Sequence, residues 1–179
     1  LFGASATYGA TGLAAAPTRA AAGTAAQGPR PQEQEQDPEG WIQALRRALA
    51  SLAENRGLAA AAARASVRVR VVALAGQMQD LVLCGPGGRA LGSAILYSDA
   101  RSGAEARRVE GEWPGGAAAL QDVTGGNWKG ALSLVPKLLW CQTHRAADMA
   151  ACETVLFGAH SYVASRLCGG APTCRVTDA

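Results

Sequence analysis

Gly76-Gln77-Met78-Gln79-Asp80 places a cluster of chemically useful side chains at the end of an apolar run. A glycine is followed by two carboxamides, a thioether and a carboxylate, at the end of the apolar run that starts at Val67. A carboxamide both donates and accepts hydrogen bonds and does not titrate near neutrality. In open α/β sheets, ligands bind just beyond strand ends of this kind. Tyr97 and Asp99 follow the next apolar runs and add a phenol and a second carboxylate. Asp99 and Ser102 are also N-cap types ahead of the helix formers Ala104 to Arg108, so capping is an open alternative for Asp99.

These residues need a sheet to position them. Val67, Val69, Val71 and Val72 are β-branched and suit a pleated strand. The run closes with Ala73-Leu74-Ala75, which predicts a strand buried on both faces. Leu81 to Cys84 and Leu91 to Tyr97 flank Gly85-Pro86-Gly87-Gly88, which predicts a β-hairpin over 81–97. Asp37-Pro38-Glu39 reads as N-cap, N1 proline and an acid facing the helix dipole. Trp41, Ile42, Leu45, Leu49 and Leu52 follow at helical spacing, giving a helix over 38–55 closed by Gly57, with Trp41 as a core anchor. Leu132, Val135, Leu138, Leu139 and Gln142 form a second amphipathic face. Lys137 and Trp140 lie on one side of it, and packing with a snorkelling lysine is favoured over direct substrate contact. Met149 and Val155 to Phe157 read as core, and His160 as a surface or capping histidine.

Composition narrows the function classes. The net charge of +3 is scattered, with no aromatic residues interleaved among the basic ones, which argues against nucleic acid. The five cysteines form no C-x-x-C pair and His144 and His160 are not at ligand spacing, so no metal site is expected. Their odd count and irregular spacing predict reduced thiols, Cys168 and Cys174 buried among them. No apolar run approaches the roughly 18 residues of a membrane span. A cytoplasmic location is expected. The acid-free, Ala-, Thr- and Arg-containing stretch 10–26 leaves organelle targeting open.

Three blocks together resemble the N-terminal domain of the FGGY carbohydrate kinases. Members similar to xylulokinase carry S-G-Q-M-H-G, then D-x-x-G-x-P-L, then W-N-D-x-R. The matching residues are Ala75 to Asp80, Gly85 to Leu91, and Tyr97-Ser98-Asp99-Ala100-Arg101, in the same order. Further matches are Gln34 to Trp41, Gly126-Asn127 with Lys137 and Trp140, and Tyr162, Arg166, Leu167 and Gly169. Asp80 stands opposite the final glycine of the first motif, and Tyr97 opposite the tryptophan of the third.

The resemblance implies an α/β fold of the ribonuclease-H-like, actin-like ATPase type, a mixed sheet flanked by helices. It divides the chain into a low-complexity or degraded strand region over 1–33 and a partial kinase N-terminal domain over 34–179. It implies Met78, Gln79, Tyr97 and Asp99 as contacts to a ketopentose or polyol. Gly3 and Ser5 stand where the family's phosphate-binding turn D-x-G-T-x-x-x-R would lie, without its Asp, Thr or Arg. Either the chain starts inside that motif or the motif is altered. Full members transfer the γ-phosphoryl group of ATP, with Mg²⁺, to a sugar hydroxyl, using a general base and adenine pocket from a second domain. Neither has a motif in these residues, so no catalytic residue is assigned and the stretch alone is expected to be inactive. A sugar- or partner-binding module without catalysis is the alternative.

Overall fold

The computed structural model describes residues 33–64 and 70–170. The strands are β1 (Glu35–Gln36), β2 (Met78–Cys84), β3 (Ala94–Ile95) and β4 (Thr154–Gly158). The helices are α1 (Pro38–Ala53), α2 (Arg56–Arg64), α3 (Gly103–Glu112), α4 (Gly116–Val123), α5 (Leu134–His144), α6 (Ala146–Ala151) and α7 (Ala159–Leu167). The strands form one sheet in the order β1-β3-β2-β4, with antiparallel neighbours throughout.

The sheet is built on β2, whose residues Asp80 to Cys84 are all buried. Successive side chains of a strand point to opposite faces. Val82 and Cys84 join Trp41, Leu156, Tyr162 and Val163 in one cluster, on the side of α1 and α7. Leu81 and Leu83 join Ile95 and Cys141, with Leu134, Leu138 and Met149 packed on, on the side of α5 and α6. Helices therefore cover both faces of the central strand, which explains its unbroken apolar run. Among the described residues no helix is long and apolar enough to cross a membrane.

The hairpin forms as expected. Leu81 pairs with Ile95 and Cys84 bridges to Ala90 across the turn at Pro86–Gly88. The start of α1 also follows the sequence: Asp37 Oδ1 accepts from the Glu39 amide at 3.0 Å. Trp41 is buried and donates through Nε1 to Gln36 Oε1 at 2.8 Å. The end of α1 differs. The helix stops at Ala53, and Gly57 lies inside α2.

The strand expected from Val67 to Ala75 is the main correction. Positions 65–69 lie outside the described residues, and Arg70 to Gln77 join no ladder. Val71 and Val72 are 82% and 64% exposed. β-Branched residues favour a strand only where a neighbouring strand offers its hydrogen bonds and packing. Here β4 supplies that neighbour from Met78 onward. Met78 and Gln79 consequently open the central strand instead of following it.

Candidate functional site

Met78 pairs with Gly158, and the β2–β4 register then shifts before Leu81 pairs with Phe157. Gln79 sits in that irregularity at φ 64°, the left-handed region, which costs a side-chain-bearing residue about 1–2 kcal/mol. The residue before the pair is tied down: the Gln77 carbonyl accepts from the Ala159 amide at 3.1 Å and lies 3.2 Å from His160 Nδ1. Gly158, at φ 127°, leaves no room for a side chain there, because a Cβ would stand 2.5 Å from the Gln77 carbonyl oxygen. Met78 is 70% exposed, and the Gln79 side chain is exposed as well.

Asp80, the next residue, is fully buried. Its Oδ1 accepts from the Tyr97 amide at 2.9 Å, which joins the start of β2 to the end of the hairpin. Its Oδ2 has no hydrogen-bond partner among the described residues. Burial raises the Asp80 pKa, against the opposing pull of the Tyr97 and Ala159 amides, Lys137 and His160.

Lys137 is also fully buried, so it does not snorkel. Its Nζ donates to the carbonyls of Leu96 at 2.7 Å and Tyr97 at 3.2 Å. Burial pushes its pKa down to about 8, although Asp99 and Asp80 favour the charged form. The buried side of α5 is Pro136, Lys137 and Cys141, while Val135, expected on the core face, is 53% exposed.

Asp99 lies behind this turn with no exposed surface. Its Oδ1 accepts from the Arg101 amide at 2.9 Å and from Arg101 Nε at 3.0 Å. Its Oδ2 accepts from the Gln34 amide at 2.5 Å and from Arg101 Nη2 at 2.7 Å. The N-cap position of α3 belongs to Ser102, whose Oγ donates to the Ala131 carbonyl and makes no cap bond. Arg101 continues to Glu35 at 2.7 Å, and its guanidinium stands 4.9 Å from the Trp140 ring. The other partner of Trp140 is His144, stacked at 4.4 Å.

The structure thus brings Met78, Gln79 and the half-exposed Tyr97 to one end of the β2–β3 pair, with Asp99 buried beneath. Gly3 and Ser5 lie outside the described residues. The sequence reading passed over Asp80, Lys137 and Arg101 as parts of the site. The available signals were a carboxylate at the mouth of an apolar run and a lysine flanked by apolar residues. A thioether, a carboxamide and a phenol can hold a polyhydroxylated ligand but cannot move its protons near neutrality. Among the described residues no group of three or more His, Cys, Asp or Glu is placed to hold a metal ion. Burial pushes the Cys141 thiol up to about 11, which leaves it a poor nucleophile near neutrality. Cys168 is exposed, against expectation, and Cys174 lies outside the described residues.

Comparison with known proteins adds the family context. Residues 16–179 match the FGGY family of carbohydrate kinases, N-terminal domain. The xylulose kinase of Escherichia coli (strain K12) is 34% identical over 116 residues, covering 65% of this chain and 21% of that protein. The xylulose kinase of Streptomyces coelicolor is 33% identical over 141 residues, covering 79% of this chain and 27% of that protein. Among solved structures, xylulose kinase from Rhodospirillum rubrum superposes with a TM-score of 0.64 at 27% identity, over 79% of this chain and 27% of that one. Plasmodium falciparum glycerol kinase with ADP, at 18% identity and a TM-score of 0.58, shares the fold. The chain spans about a quarter of the length of the curated relatives it matches.

Proposed function

The chain belongs to the FGGY family of carbohydrate kinases, through its N-terminal domain, and from that premise we propose that it forms one side of a ketopentose- or polyol-binding cleft. Its α/β fold, a sheet with helices on both faces, superposes on the family's solved members. One observation carries the proposal: exposed Met78 and Gln79 lie at the same end of the β2–β3 pair as half-exposed Tyr97, beside a backbone held in a strained, left-handed conformation. Strain of this kind persists where the surroundings over-determine it, and it gathers at ligand sites.

The roles follow from side-chain chemistry. Gln79 donates to one sugar hydroxyl and accepts from another. Met78 lays a polarisable thioether along the carbon skeleton. Tyr97 covers the C–H face with its ring. Asp99 acts from beneath, holding the turn that carries Tyr97. Gly3 and Ser5 remain the proposed phosphate contacts. In the full-length enzyme, ATP with Mg²⁺ would supply the phosphoryl group. These 179 residues bind the sugar without transferring phosphate on their own.

Titration calorimetry of this chain with D-xylulose and with glycerol tests the reading. Heat with at least one ligand, lost in Met78→Ala and Gln79→Ala, is the expected result. Absence of heat with both ligands overturns it.

A further inference from the structure

We propose that Asp80 and Lys137 form a two-sided clamp on the peptide of Tyr97, and so act as positioning residues for the contact between its ring and the sugar. The inference rests on the sugar-site reading above and extends it to residues that touch no ligand.

Tyr97 is gripped at both of its backbone polar groups. Asp80 Oδ1 takes its amide at 2.9 Å, from β2. Lys137 Nζ takes its carbonyl at 3.2 Å and the preceding Leu96 carbonyl at 2.7 Å, from α5. Both clamping side chains are fully buried, yet the ring they position is 49% exposed. Buried charges cost several kcal/mol each in lost hydration, and an apolar pair of the same volume often serves stability as well. Hydration loss is only partly offset at Asp80, whose Oδ2 has no hydrogen-bond partner among the described residues.

The two departures from the sequence motifs meet at this bond. Asp80 stands opposite a glycine, which has no side chain to reach the Tyr97 amide. Tyr97 stands opposite a tryptophan. A phenol offers less ring area than an indole, so its contact depends more closely on where its backbone is set. The carboxylate supplies that setting, and the lysine completes it from the other side.

The experiment compares wild type, Asp80→Gly, Asp80→Asn and Lys137→Met, using amide hydrogen exchange by NMR and D-xylulose calorimetry. Asp80→Gly should speed exchange of the Tyr97 amide by about tenfold and weaken D-xylulose binding by about tenfold, as expected for one lost hydrogen bond. Asp80→Asn keeps an acceptor oxygen and should restore both. Lys137→Met should weaken binding under conditions where the protein stays folded, with global stability read from the Val82 amide in the middle of β2; this arm stands even if Asp80→Gly fails to fold. Unchanged Tyr97 exchange in Asp80→Gly overturns the clamp. So does faster exchange that is equal at Tyr97 and Val82, which reports general loss of stability. Unchanged D-xylulose affinity in both Asp80→Gly and Lys137→Met also overturns it. If wild type binds no D-xylulose while Tyr97 exchange alone responds, the clamp geometry stands and the sugar reading falls.

Discussion

The two walls of the proposed cleft are built in opposite ways. The Leu96–Arg101 turn is fixed by buried charge: Asp80, Lys137 and Asp99 are fully buried, and the Arg101 side chain is 6% exposed. The Met78–Gln79 wall has exposed side chains and a register shift, and its anchorage is the Gln77 carbonyl held by the start of α7. One wall is set by many polar partners, the other by a strained backbone with few. The difference separates two jobs. Buried side chains bonded to the backbone can fix geometry, whereas exposed donors and acceptors are left to meet a ligand.

Removing the anchor of the fixed wall should have the largest effect. Asp99→Ala leaves the Arg101 guanidinium with Glu35 as its one carboxylate among the described residues and strips the Gln34 amide of its acceptor. Breaking a buried ion pair from one side costs about 3–5 kcal/mol, so the urea midpoint should fall sharply. A midpoint within error of wild type would erase the contrast between the walls.

Lys137→Met comes second and carries a pH signature. At neutral pH it removes the donor to two carbonyls, a loss of about 1–3 kcal/mol. The groups facing the lysine are Asp80, Asp99 and Arg101. Burial lowers the folded-state pKa to about 8 from 10.5, so the unfolded chain binds more protons between those values. Stability contributed by this group therefore rises with pH across that window. The stability difference between wild type and Lys137→Met should widen from pH 8 to 10.5 in paired urea titrations. A constant or shrinking difference would show that the ammonium is not desolvated.

The sequence shows these walls unequally. The hairpin was legible because Gly85-Pro86-Gly87-Gly88 permits little else between two apolar runs. The start of α1 was legible because a capping carboxylate and an N1 proline act locally. Val71 and Val72 misled because β propensity is expressed only beside a partner strand, and partners are not local information. The phase of α5 was misread for a related reason. A lysine scores as exposed, yet two carbonyls from the end of the hairpin draw Lys137 inward. Glu39 was assigned to the helix dipole, but its carboxylate also accepts from the Tyr162 hydroxyl and bonds Arg166, across more than 120 positions of chain. Met78, Gln79 and Tyr97 came from motif resemblance, while Asp80 as a clamp became visible only once Tyr97 was seen beside it.

The smallest effect is the most discriminating. Gln79→Gly relieves a left-handed conformation that costs about 1–2 kcal/mol, at the expense of about 0.5–1 kcal/mol in added unfolded-state freedom. The exposed carboxamide gives up little packing, so the net change should be a gain of up to about 1.5 kcal/mol. The same substitution removes the proposed donor and acceptor for the sugar, so D-xylulose heat should vanish as the urea midpoint rises. Stability and binding would then move in opposite directions at one residue, the signature of a side chain kept for its ligand and not for the fold. Were Gln79→Gly to lower the midpoint, the backbone there would not be strained in solution. The wall would then belong with the Leu96–Arg101 turn as part of the scaffold, and the asymmetry between the two sides would be gone.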